Sequence, residues 1–300
     1  MYGVLNLNKP VGPTSRACVN AVNKLLPGIK VAHAGTLDPL ASGVLLILIG
    51  PAVRLMDDVH DLEKEYVGCF QLGASSPSGD LETELSRVPI PEGLTAADFH
   101  QVIPGFLGEI EQQPPAYSAI RIEGQRAHER ARSGKVVDMP LRRVRIHALE
   151  LIAFQSDRFS IRVRCSTGTY LRTLGMDIAR ALGTEAVMTD LVRTRIGPFA
   201  LEDAVPMENL STESIVNAIQ PASAATAHLP AHTVSNPMMR RILDGQRLDA
   251  ESLFEQLSPA GDRVAVLDHR GVLRAIVEKK DDGRWRCEKG IAHWDVLPDV

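Results

Sequence analysis

An α+β fold with a mixed or antiparallel sheet is predicted by three features of the 300-residue sequence. Strand-like and helix-like stretches interleave without a regular βαβ repeat, the strand-like stretches are short and β-branched, and the C-terminal part breaks into short strands separated by turns. Val4 to Asn8 reads as the first strand. Pro13-Thr14-Ser15 then offers an N-cap to a helix whose apolar positions Cys18, Val22, Leu25 and Leu26 follow helical spacing, and Pro27-Gly28 ends it. A turn-rich stretch, HAGTLDPLASG, leads into VLLILIG, the pattern of a strand buried on both faces.

A helical stretch runs through Leu55 and Val59, Glu65 to Leu72 reads as another strand, and GASSPSGD as a turn. A charged, helix-prone segment reaches Ile110. Val144 to Ala153 and Phe159 to Cys165 are strand-like, and after the STGTY turn Leu171 to Leu182 has helical periodicity, ending at Gly183. Ser223 to Pro230 (SAATAHLP) has the composition of a linker, which sets a boundary near residue 230. Beyond it, Val264 to Leu267, Leu273 to Glu278 and Arg284 to Cys287 read as strands joined by DHRG and KKDDG turns, a small mostly-β domain.

Composition narrows the function classes. Hydrophobic residues at 44% suffice for a sizeable core, and aromatics at only 4% make that core depend on Leu, Ile, Val and Ala. Cys18, Cys69, Cys165 and Cys287 form no CxxC pair, which argues against zinc or a dithiol redox site and fits a reducing cytoplasm. The greasiest run, Val44 to Ile49, is too short to span a bilayer, and the N-terminus lacks the pattern of a signal peptide, so a soluble cytoplasmic protein is expected. No glycine-rich phosphate loop, metal-ligand cluster or nucleotide fingerprint is present; no metal and no cofactor are expected. A net charge of -4 disfavours nucleic acid, yet Arg121, Arg126, Arg130, Arg132, Lys135, Arg142, Arg143 and Arg145 make one basic segment. Charge alone leaves that segment open between a salt-bridged helical face and a polyanion contact.

Asp38 stands in a loop flanked by Gly35 and Gly43 and fixed by Pro39, just before the strand predicted to be buried. Spacing alone leaves it between a turn aspartate capping its own backbone and a reactive carboxylate. The eleven-residue string from His33 to Gly43, HAGTLDPLASG, closely resembles the signature of TruB-type pseudouridine synthases. The resemblance continues through LNLNKPVGPTS, KEYVGCFQLG, QQPPAYSAIRIEGQRAHERAR and RCSTGTYLRTLGMDIARALGT, over roughly residues 3 to 200.

The resemblance implies a pseudouridine synthase fold, with a mixed, largely antiparallel sheet flanked by helices, over residues 1–225, a thumb-like insertion at about 114–143 and a PUA-like domain over 231–300. It implies isomerisation of the tRNA T-loop uridine at position 55. Asp38 would be the catalytic carboxylate, attacking C6 of the uracil or C1′ of the ribose. Arg172 would hold it ionised and oriented through fork-shaped hydrogen bonds, and Tyr66 would stack on the flipped base and move a proton. Leu191 would line the base pocket and His33 would stack into the disrupted T-loop. Arg126, Arg130 and Arg132 on the thumb would contact phosphates of the T-loop and stem, with no membrane and no obligate protein partner. Lys9 and Asp80 lie in the same motifs and read as loop braces. The sequence departs from the commoner pattern at Arg121, where lysine is usual, and at His128, where tyrosine is usual. Alternatives are a guide-RNA-dependent relative, disfavoured by the compact chain without basic tails, and a non-catalytic tRNA-binding or folding module, disfavoured by Asp38, Tyr66 and Arg172 occurring together. A single-turnover tRNA assay separates the last of these.

Overall fold

The structure is a computed structural model that describes residues 1–115, 117, 121–122, 125–127, 130, 139–254 and 261–291. The chain forms two compact units, one from residues 1–39, 43–62 and 197–300, the other from 40–42 and 63–196. In the first unit, strand Gly3–Lys9 pairs antiparallel with Ser42–Ile49 and parallel with Val205–Pro206, and Val31–Ala34 pairs with Ser42–Ile49, so this part of the sheet is mixed. Strand side chains alternate between faces, which gathers Leu5, Leu7, Leu45, Ile47 and Ile49 into one cluster. Helix Ser15–Leu25 brings Cys18, Val19 and Val22 to it. Its start is fixed as the sequence predicts: the Thr14 hydroxyl accepts from the Ala17 amide at 3.1 Å. Every residue from Val44 to Ile49 is fully buried, as expected for VLLILIG.

The second unit is an antiparallel sheet in the order Gly108–Gln112, Arg142–Gln155, Arg158–Cys165, Lys64–Leu72, Ala186–Ile196. One face buries Phe70, Phe159, Ile161 and Val163. Phe70 and Phe159 stack at 4.9 Å between centroids, and Phe99 of helix Ala96–Val102 tilts onto Phe159 at 5.0 Å. Helix Leu171–Ala181 packs on the same face, where a Cβ at Gly175 would stand 2.0 Å from the Phe70 ring; only glycine allows that approach. The opposite face is wet, and its arginines meet glutamates on neighbouring strands: Arg143 with Glu109 and Glu111, Arg162 with Glu150, Arg164 with Glu63.

Two expectations are corrected. The helix-prone stretch before Ile110 is helical only over Ala96–Val102, opened by a Thr95–Asp98 capping box, and the 3₁₀ turn Ile103–Phe106, and then becomes strand Gly108–Gln112. Pro89, Pro91 and Gly93 interrupt the backbone ladder that its charged residues would otherwise favour. Residues expected to be a linker instead form the 3₁₀ turn Ala222–Thr226, with Ala222, Ala225 and Thr226 buried. Small side chains give a linker-like composition but also permit close backbone packing.

The C-terminal residues form a four-stranded sheet, Ala231–Thr233, Arg263–Leu267, Leu273–Lys279 and Trp285–Gly290, over a core that includes Met239, Ile242, Val264, Val277 and Trp285. Within the first unit this sheet is tied to helix Met56–Asp61 by charge. Asp58 is fully buried and accepts from Arg263 Nη2 and Lys289 Nζ, each at 2.8 Å. Arg263 also grips Glu288, and that hydrogen bond, followed by the one to Asp58, raises its pKa and holds it cationic. Removing both cations leaves a carboxylate in an apolar setting. Arg263→Met with Lys289→Met is therefore expected to destabilise the first unit by about 3 to 5 kcal/mol, read as a fall in the urea midpoint. A midpoint equal to wild type would show that Asp58 regains water when the cations leave.

Candidate active site

The loop carrying Asp38 closes the hairpin between Val31–Ala34 and Ser42–Ile49, with Gly35 and Gly43 at φ of +90° and +101°, a region side chains rarely adopt. Both neighbours of Asp38 are pinned. Buried Ser15 accepts from the Leu37 amide at 2.9 Å and donates to the Leu37 carbonyl at 3.1 Å, and the Gly12 amide donates to the Pro39 carbonyl at 2.8 Å. The first motif, LNLNKPVGPTS, thus fixes the second. Ser15, which reads in sequence only as a helix start, is a positioning residue that sequence reasoning missed. Lys9 is fully buried opposite Gly43, and its ammonium donates to the Pro10 carbonyl at 2.9 Å. His33 lies on the same hairpin, opposite Ile47.

Arg172 is the second residue of helix Leu171–Ala181 and is only 5% exposed. The helix start is held by Gln112, whose side chain accepts from the Tyr170 amide at 3.0 Å, and by Thr173, which donates to the Gln113 carbonyl at 3.3 Å. Arg172 Nη1 donates to Asp80 Oδ2 at 3.1 Å and to the Ser78 carbonyl at 2.9 Å, while Nη2 donates to the Tyr117 carbonyl at 2.8 Å. Asp80 is itself anchored: Oδ1 accepts from the Glu82 amide at 3.0 Å, and its carbonyl accepts from Ser76 at 2.7 Å. The GASSPSGD turn therefore presents a buried carboxylate to the arginine. Asp80, read from sequence as a loop brace, is the anion of a buried ion pair.

Tyr66 and Leu191 come together on the sheet face that helix Leu171–Ala181 covers. Leu191 stands opposite Gly68 and Arg193 opposite Tyr66, so Leu191 and Arg193 flank the tyrosine's column on one strand. Tyr66 is half-buried and Leu191 buried. Arg193 is only 2% exposed and sits 6.0 Å from the Tyr66 ring centroid. Two shifts of register explain this: the one between Met188 and Asp190 brings Leu191 and Arg193 to the face of Tyr66, and the one between Arg193 and Arg195 leaves Arg195 exposed.

Of the thumb residues, Arg126 lies in a two-residue hairpin, Arg121–Ile122 against Gln125–Arg126, and Arg130 is half-buried. The Arg126 side chain, Arg132 and His128 lie outside the described residues. Cys18 and Cys165 are buried, and burial pushes the Cys165 thiol up to about 11, which keeps it protonated at neutral pH. Among the described residues no helix is long and apolar enough to cross a membrane.

The fold is similar to that in the crystal structure of a Cbf5-Nop10-Gar1 complex, with a TM-score of 0.75 and 27% identity over 99% of this chain and 87% of that one. It is similar also to an H/ACA RNP bound to a substrate RNA containing 2′-deoxyuridine, with a TM-score of 0.72 at the same identity and coverage. The anticipated fold, that of the pseudouridine synthases, is the one present. The model for the TruB family pseudouridylate synthase N-terminal domain matches residues 23–171, and that for the tRNA pseudouridylate synthase B C-terminal domain matches residues 172–234. The tRNA pseudouridine synthase B of Rhodopirellula baltica is 40% identical over 94% of this chain and 87% of its own, and that of Geobacillus kaustophilus 38% identical over 86% and 94%. The chain belongs to the TruB family of pseudouridylate synthases.

Proposed function

We propose that this enzyme converts the uridine at position 55 of the tRNA T-loop to pseudouridine after flipping it from the stack, with Asp38 as nucleophile. The observation that carries the reading is the Asp38 loop, pinned on both sides by Ser15 and Gly12 and so held in one geometry. In this reading Arg172 keeps the nucleophile ionised and oriented, its own position fixed by Asp80. Tyr66 stacks on the base and moves a proton, Leu191 closes the pocket beside it, and His33 fills the space the base vacates. Residues 1–225 act as the catalytic domain, 114–143 as its thumb and 231–300 as a PUA-like accessory, in the cytoplasm and without cofactor or obligate protein partner. The guide-RNA-dependent alternative is the weaker one, because relatives named for tRNA reach 38–40% identity against 27% for the complexed neighbours.

The test pairs modification with binding. The purified protein should convert a single T-loop uridine in a tRNA transcript, and conversion elsewhere in the tRNA, or none, would overturn the reading. Neutralising Arg126, Arg130 and Arg132 together should flatten the slope of log affinity against log salt by roughly 2, since about 0.7 to 0.9 counterions are released per phosphate contact. An unchanged slope would move the phosphate grip off the thumb. The exposed arginines of the open sheet face are a poor substitute, because Arg162 and Arg164 already meet Glu150 and Glu63.

A further inference from the structure

Arg193 is the largest fully buried side chain of the described residues, in a strand where an apolar residue would pack at lower cost. Its place is specific. It stands directly across the antiparallel ladder from Tyr66, with its guanidinium carbon 6.0 Å from the ring centroid, and two residues along the same strand and face from Leu191. On its other side Tyr66 is paired with Val163, which is fully buried. The tyrosine therefore has a fixed apolar wall on one flank and a fixed cation on the other. A cation near an aromatic ring in a water-poor setting attracts the ring's electron-rich face and restricts its tilt, and it favours negative charge developing nearby.

We infer that Arg193 is a positioning residue of the isomerisation, acting through Tyr66: it sets the plane of the stacking ring and supplies a fixed positive charge behind it. The inference rests on the proposed role of Tyr66. Gly68 serves the same arrangement. Between Tyr66 and Phe70 and opposite Leu191, a Cβ there would stand 3.0 Å from the Phe70 ring, so glycine keeps the floor beside Tyr66 open.

The experiment measures the single-turnover rate of pseudouridine formation at saturating tRNA, and tRNA affinity, for wild type, Tyr66→Leu, Arg193→Gln, Arg193→Lys and the two double variants. Arg193→Gln should lower the saturated rate about tenfold or more, the scale of a desolvated cation–π contact, with tRNA affinity within about twofold of wild type. Arg193→Lys keeps the charge but not the planar fork, so it should recover part of the rate; it also serves if Arg193→Gln folds poorly. In the Tyr66→Leu background neither Arg193 change should cost more than about twofold further, because the residue it acts through is gone. Additive losses in the double variants, or a loss confined to tRNA affinity, would overturn the proposal while leaving Tyr66 in its role. A wild-type rate from Tyr66→Leu would remove the Tyr66 reading and this inference with it.

Discussion

Asp38→Asn is expected to reduce single-turnover pseudouridine formation by at least about 10⁴-fold, the scale seen when a nucleophile is removed, with tRNA affinity almost unchanged. The amide is isosteric and can stay in the loop, whose residues on either side, Leu37 and Pro39, are held through their backbones. What it loses is a lone pair of sufficient nucleophilicity to attack carbon. Binding should persist because phosphate contacts supply most of the affinity of such complexes. Measured turnover within tenfold of wild type would rule out covalent catalysis by Asp38. A fall in rate accompanied by a matching fall in affinity would instead assign Asp38 to base recognition.

The second large effect is expected at Arg172. Arg172→Lys should lower the saturated rate by at least about a hundredfold, comparable with losing a preorganised charge-stabilising donor. Lysine offers a point charge, whereas Arg172 serves Asp80 and the Ser78 carbonyl through Nη1 and the Tyr117 carbonyl through Nη2 of one planar group. Asp80→Asn tests the same unit from the other side: it keeps the hydrogen bond but removes the anion that anchors the arginine. It should slow turnover less than Arg172→Lys does. Asp80→Ala, which takes the Asp80 carboxylate away from a buried guanidinium, should also cost about 3 to 5 kcal/mol of stability, measured by urea unfolding. If Arg172→Lys turned over at near-normal rates with a native urea midpoint, the arginine would be a structural brace only.

Much of this was readable in the sequence, for identifiable reasons. Strand and helix starts were legible where a local signal sets them, as with Thr14 at the first helix and the β-branched run before Gly50. Asp38, Tyr66 and Arg172 stood out as candidates because their neighbours in the chain form strings specific to one family. The partners of those residues were not. Asp80 and Arg172 are 92 residues apart, and no local pattern reports which turn a buried arginine will meet. Arg193 was not legible, because in the string Arg193 and Arg195 look like one alternating pair; the irregular register that separates them is a property of the strand pairing. Ser15 was hidden in the same way, a helix-start serine by composition and a loop clamp by tertiary contact.

The first unit is built from both ends of the chain, with residues 63–196 inserted between its halves. Strand Gly3–Lys9 meets Val205–Pro206 along one edge, and Val4 exchanges backbone bonds with Gln220. A ribosome delivers these partners in order, at about 5 to 20 residues per second. The first strand consequently waits about 10 to 40 s for the chain that closes its edge. The inserted sheet, whose strands all lie between Lys64 and Ile196, can close during that interval. The order of synthesis thus lets the inserted sheet close first, and strand Gly3–Lys9 gains Val205–Pro206 and Gln220 only after residues 63–196 have been made.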